Sequence, residues 1–197
     1  MMNRRILAAA AVLVASAFAL AGCAAPAADD GGSMPGMDHS ASEAPASGAA
    51  ADAMFASMMI VHHEQAIEMS DLVLDKDGVD PRVVDLAERI KAAQAPEIEQ
   101  LQGWLDDWGV DPADDGAMDH GDGMMSADDL AALEAASGAE ASSLFLEQMI
   151  AHHEGAVAMA EAQIRDGEDA DAVALARRIV DDQSAEIAEM KELLASL

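Results

Sequence analysis

Apolar residues recur every three to four positions through most of the chain after residue 50, the period of helices that bury one face. Phe55, Met58, Met59, His62, Ala66, Met69 and Val73 share one stripe, which predicts a helix from Ala51 to about Lys76, ended by Asp77-Gly78. Asp80-Pro81 is a helix start, with Asp as N-cap and Pro in the first turn. The stripe that follows is Val83, Ala87, Ile90, Gln94, Ile98, Leu101, Leu105 and Trp108, stopped by Gly109 and expected to kink at Pro96. An acidic loop bearing Pro112 and several glycines follows. Ser126-Ala127-Asp128-Asp129 then reads as a capping start for a short helix over 130–137, or for the first part of a longer one. A third main helix carries Phe145, Met149, His152, Ala156 and Met159 inward and stops at Asp166-Gly167. The last, from about Asp171 to Leu194, carries Ala172, Ala176, Ile179, Gln183, Ile187, Met190 and Leu194. No useful stretch alternates with period two, so no sheet is expected.

The pattern is duplicated. Met59-Ile-Val-His62-His63-Glu-Gln-Ala-Ile-Glu-Met69 returns without a gap as Met149-Ile-Ala-His152-His153-Glu-Gly-Ala-Val-Ala-Met159, 90 residues on (152 − 62), with Phe55 and Phe145 ahead at the same offset. Gln94 and Gln183 are polar intruders at matching places in the second helix of each half. The expected fold is therefore all-α: an antiparallel four-helix bundle made of two duplicated αα-hairpins, residues 51–109 and 126–197, in one domain over 51–197. Similar hairpins pair through equivalent faces, which places the helices of His62 and His152 side by side.

The N-terminal part reads differently. Residues 1–23 have the form of a secretory signal: Arg4 and Arg5, an apolar run from Ile6 to Leu20 too short to span a bilayer, then Leu20-Ala21-Gly22-Cys23. That ending is similar to a bacterial lipobox, with Cys23 as the lipidated residue. Residues 24–50, rich in Ala, Gly, Ser, Pro and Asp, read as a disordered tether. The expectation is an exported protein, lipid-anchored to the outer face of the bacterial cell membrane. Cys23 is the sole cysteine, so no internal disulfide is possible. A formal net charge of −28 disfavours nucleic acid and anionic lipid surfaces as partners and attracts cations. No protein partner can be named from the sequence.

Fourteen methionines stand against no tyrosine and three phenylalanines. Thioether sulfur is a soft, neutral ligand suited to Cu(I), and imidazole suits both copper oxidation states. The candidate metal ligands are Met58, Met59, His62, His63, Met69, Met149, His152, His153 and Met159. His62 and His152 lie near the centres of their stripes, whereas His63 and His153 are turned by about 100° to the rim. Gln94 and Gln183 are candidates to hold a ligating imidazole through its second nitrogen; bonding a backbone carbonyl is the other reading. Met34, Met37, His39, Met118, His120, Met124 and Met125 form possible loop sites. Methionine stripes also serve as plain core filler, and an inward His also serves as a hydrogen-bonded core residue. No catalytic residues are assigned. Glu64 and Glu68 face away from the stripe, a di-iron centre would need inward carboxylates, and neither a nucleophile elbow nor a phosphate loop is present.

The paired Met-Ile-x-His-His-Glu motifs are each followed by Leu-Ala-x-Arg-Ile (Leu86–Ile90, Leu175–Ile179) and by Gln-x-x-Glu-Ile (Gln94, Glu97, Ile98; Gln183, Glu186, Ile187). Over residues 51–197 this resembles the bacterial domain of unknown function family 305. The resemblance implies a ferritin-like bundle, export, and a copper ion as ligand, since the family includes periplasmic copper-binding proteins linked to copper tolerance. Gln148 departs from the methionine that some members carry there, which makes the two half-sites unequal. The function expected is an extracytoplasmic copper-binding lipoprotein for buffering or delivery. The alternatives are a structural or interaction lipoprotein with packed His-His pairs, and a methionine-based oxidant sink.

Overall fold

The computed structural model describes residues 47–110 and 123–197. The signal and lipidation site, most of the tether, and Met34, Met37, His39, Met118 and His120 lie outside them. Five helices make up the described residues: α1 Gly48–Leu74, α2 Pro81–Trp108, α3 Ala127–Ala135, α4 Gly138–Asp166 and α5 Ala170–Leu194. None of these helices is long and apolar enough to cross a membrane.

The caps explain the boundaries. Asp80 accepts from the Arg82 amide with Pro81 in the first turn of α2, and Gly109 closes that helix at φ 68°. Ser126 and Asp129 form a reciprocal capping box on α3. Asp169 accepts from the Asp171 and Ala172 amides to start α5. One expectation needs correction. Helix α1 begins at Gly48, inside the stretch read as tether, because Ser47 caps it through the Ala50 amide. Gly48 is buried against Glu168, whose side chain occupies the place a Cβ would take. Helix α2 runs unbroken through Pro96, which is exposed, so the carbonyl it frees faces water.

Hairpins α1/α2 and α4/α5 join through α1 against α4, and the core has two halves. One holds Met69, Val73, Val83, Leu86, Ile90, Phe145, Leu146, Met149 and Met190, with Leu133 of α3. The other holds Phe55, Met59, Ile60, Leu101, Leu105, Ala156, Ala160, Leu175 and Ile179. The duplication maps one half onto the other: Phe55 onto Phe145, Met59 onto Met149, Leu86 onto Leu175, Leu101 onto Met190. Between the halves lie His62, His63, Gln94, His152, His153 and Gln183, all buried.

Each half also clamps the loop of the other. Ser142, at the start of α4, accepts from the Asp80 amide in the α1–α2 loop at 2.9 Å. Its counterpart Asp52, on α1, accepts from the Asp169 amide in the α4–α5 loop at 2.9 Å, and also from the Glu168 amide and the Gln163 side chain. A buried donor left without an acceptor costs its desolvation, about 1–3 kcal/mol. Asp52→Ala strands three donors, and is expected to lower the unfolding free energy by about 2–3 kcal/mol, against about 1 kcal/mol for Ser142→Ala. Urea unfolding of the two variants measures the difference, and equal losses would contradict this account of the clamps.

Candidate metal centre

Where α1 and α4 meet, the His62 and His152 rings stand with centroids 3.7 Å apart and planes tilted by 43°. Both residues are essentially fully buried, and none of their four ring nitrogens has a hydrogen-bond partner. Burial, followed by the neighbouring His63 and His153, lowers the His62 pKa to about 3. His152 is pushed well below the ordinary imidazole value by burial first, and then by His62, His153 and His63. The pair is therefore neutral at physiological pH, so each ring holds a free lone pair.

His63 and His153 are not at a rim. Both are buried, because α1 and α4 each face two neighbours and the turn of about 100° from His62 points under α2 rather than to water. Each is bonded to a carboxylate from the second helix of its own hairpin: His63 Nε2 to Glu97 at 2.7 Å and His153 Nε2 to Glu186 at 2.8 Å. A carboxylate oxygen accepts the bond, so Nε2 is its donor. Both Nδ1 atoms are buried and without a partner. Glu97 and Glu186 therefore fill the orienting place assigned in the sequence to Gln94 and Gln183. Gln94 and Gln183 instead line a cleft of about 30 Å³ between α2 and α5, beside Glu97 and Glu186, with their carbonyl oxygens unpartnered. The signal that would have identified the two glutamates is their spacing, one turn after each glutamine in both halves.

The methionines separate into groups. Met59 and Met149 are fully buried one turn before His62 and His152, on the same helix faces. Met69 is fully buried in one core half. Met58 and Met159 line an open groove at the other end of the α1–α4 pair. The Gln65 amide group bonds both backbone groups of Met125, whose side chain packs on the core, and Met124 is half-buried. Gln148 donates to the Asp129 carbonyl of α3. Among the described residues, no three His, Cys, Asp or Glu side chains gather as a metal site. The chemistry available is thus paired neutral imidazole with thioether nearby, a donor set for soft ions. An ion in line between two imidazole nitrogens at about 2.0 Å each needs ring centroids roughly 6 Å apart. The observed 3.7 Å is shorter, so His62 and His152 would hold an ion with their nitrogens side by side rather than in line.

Both depressed pKa values have one consequence for the metal-free protein. Below pH 6.5 the unfolded chain protonates these histidines while the folded chain does not, so their contribution is complete above pH 6.5 and is lost as pH falls, for His62 down to about 3. The loss is about 1.4 kcal/mol per pH unit for each imidazole. Replacing His62 and His152 together by Leu is expected to flatten the acid limb of stability against pH by that amount per residue, measured by urea unfolding from pH 7 to pH 4. An unchanged slope would mean that the two rings protonate in the folded state.

A family model described as domain of unknown function (DUF305) matches residues 52–194. No protein of curated function matches the chain. Among solved structures, a DUF305 protein from Streptomyces coelicolor, described as a candidate secreted protein, is 37% identical with a TM-score of 0.70, covering 74% of this chain and 91% of its own. A DUF305 fragment from Deinococcus radiodurans is 29% identical with a TM-score of 0.67, covering 77% and 100%. CopM in its Cu(I)-bound form is 32% identical with a TM-score of 0.62, covering 74% and 96%, and similar structures of CopM hold Cu(II) or silver. The fold, the doubled motif and the family match agree: the chain belongs to the DUF305 family.

Proposed function

We propose that this protein is an extracytoplasmic copper binder, holding Cu(I) at the buried His62–His152 pair, and that it buffers or delivers the metal rather than catalysing a reaction. The carrying observation is the pair itself: two imidazoles in contact, neutral, with four buried ring nitrogens that no protein group satisfies. Leaving such groups bare is unfavourable, and an ion that accepts the one lone pair of each neutral ring removes part of that cost. Neutral donors favour a soft monovalent ion over a hard divalent one, because the site brings no negative charge of its own to offset a second positive charge. The copper- and silver-bound states of the relative CopM support the same reading. His63 and His153, tied to Glu97 and Glu186, frame the pair. Export and lipid attachment at Cys23 complete the proposal. They rest on the signal-like N-terminus and on the secreted character ascribed to the Streptomyces coelicolor relative.

Replacing His62 and His152 by Leu is expected to abolish tight Cu(I) binding in competition with a chelating dye while the bundle stays folded, since Leu suits an apolar stripe. Replacing Glu97 and Glu186 by Gln should leave affinity within about tenfold of the parent. Equal binding by parent and H62L/H152L would remove the buried site and leave packed His-His pairs as the reading. Separately, Cys23→Ser is expected to release the protein from membranes or block its processing. Normal cleavage with unchanged membrane retention would refute the anchor.

A further inference from the structure

The two ends of the α1–α4 pair are related by the duplication, yet they are finished differently. At one end α3 lies across the helices, with Leu133 fully buried and Gln148 donating to the Asp129 carbonyl. Leu144 packs half-buried there, and Met69 is fully buried. Gly123, at φ 100°, leads the chain toward α3 so close to Gly155 and the Ala151 carbonyl that a Cβ would collide. At the other end nothing among the described residues takes the place of α3, and a groove of about 670 Å³ stays open. The positions equivalent to Leu144, Gln148 and Met69 are Met54, Met58 and Met159, and all three line that groove.

We propose that Met54, Met58 and Met159 form a second soft-metal site, for Cu(I) or Ag(I), separate from the His pair and open to solvent. Three observations carry it. Met54 and Met58 are four residues apart on α1, so their side chains rise from one face a turn apart, and Met159 lines the same groove from α4. Met54 is 39% exposed, and it and Leu197 are the exposed large apolar side chains among the described residues, so core filling does not account for it. Thioethers on three rotatable bonds converge readily, and three of them give a neutral, soft donor set. The Asp166 and Glu168 carboxylates beside Arg165 on the groove wall, within a chain of net charge −28, favour a cation there. Metal at such a surface site exchanges with a donor or acceptor without opening the core, which the buried pair does not permit.

The test uses the full chain with ¹³C-methyl methionine and Ag(I) as a redox-stable probe. In H62L/H152L, one equivalent of Ag(I) is expected to shift the Met54, Met58 and Met159 methyl signals together. The M54L/M58L/M159L variant, in which Leu replaces Met at similar volume, should bind one equivalent less than the parent. Shifts confined to other methionines, loss of the three shifts in H62L/H152L, or unchanged stoichiometry in the triple Leu variant would each overturn the site. The outcomes are separable from those for the His pair: if Cu(I) affinity ignores His62 and His152 while the three methyls still respond, the buried site fails and the groove site stands.

Discussion

Four imidazoles buried across the middle of a helical bundle are the constraint on which the remaining structure depends. Each buried polar atom without a partner opposes folding by about 1–3 kcal/mol. The fold tolerates the layer by confining it between two apolar half-cores built from equivalent residues. Burial removes the charge from His62 and His152, so the core contains dipoles rather than cations there. The two remaining histidines are satisfied on one side by carboxylates that keep 18–22% of their side-chain surface in water, which limits the desolvation of Glu97 and Glu186. The crossed clamps at Asp52 and Ser142 tie each hairpin to the loop of the other, so the halves that share the layer cannot separate without breaking hydrogen bonds at both ends.

Departures from internal symmetry are concentrated away from this layer. His62, His63, Gln94 and Glu97 all have identical partners in the second half. Along α1 and α4, by contrast, Gln65 corresponds to Gly155, Met58 to Gln148, Val73 to Gln163 and Asp52 to Ser142. Gln65 holds the backbone at Met125, and Gly155 gives the same segment room to pass, so both sides of this one difference serve the seating of α3. The central layer is thus a shared two-fold device, while the ends of the helix pair have separate jobs.

How much was legible in the sequence follows from what periodicity measures. A stripe on a helix reports one packing direction, and the 90-residue echo reports which stripes are equivalent. Together they place α1 against α4 and His62 against His152, as observed. Caps with local chemistry, Asp80-Pro81 and Ser126 with Asp129, are visible because their partners lie within three residues. What a single stripe cannot report is a second neighbour. His63 reads as rim because α2 covers a direction that the α1 pattern does not encode, and Glu97 carries no role in the sequence reading because its bond is to a residue 34 positions away. Gly48-Ala49-Ala50 reads as tether by composition, yet it is helical because Ser47 caps it and Glu168 packs over it.

The difference between the two histidine pairs bears on how binding and folding are linked. His63 and His153 are each oriented by a carboxylate, so their tautomer and ring angle are set before any ion arrives. His62 and His152 are held by packing alone, with both nitrogens of each ring bare. A ligand that binds only the folded state stabilises it by RT ln(1 + [L]/Kd), about 2.7 kcal/mol at a hundredfold excess over Kd. In the oriented pair that gain would add to bonds already made. In the bare pair it would supply interactions that the metal-free protein lacks, so an ion at the proposed site would raise bundle stability most at the central rings. A layer used only for packing has no need of this division between one pair bonded through Nε2 and one bare pair, whereas the proposed uptake and release of a soft ion calls for rings that are positioned but not already engaged.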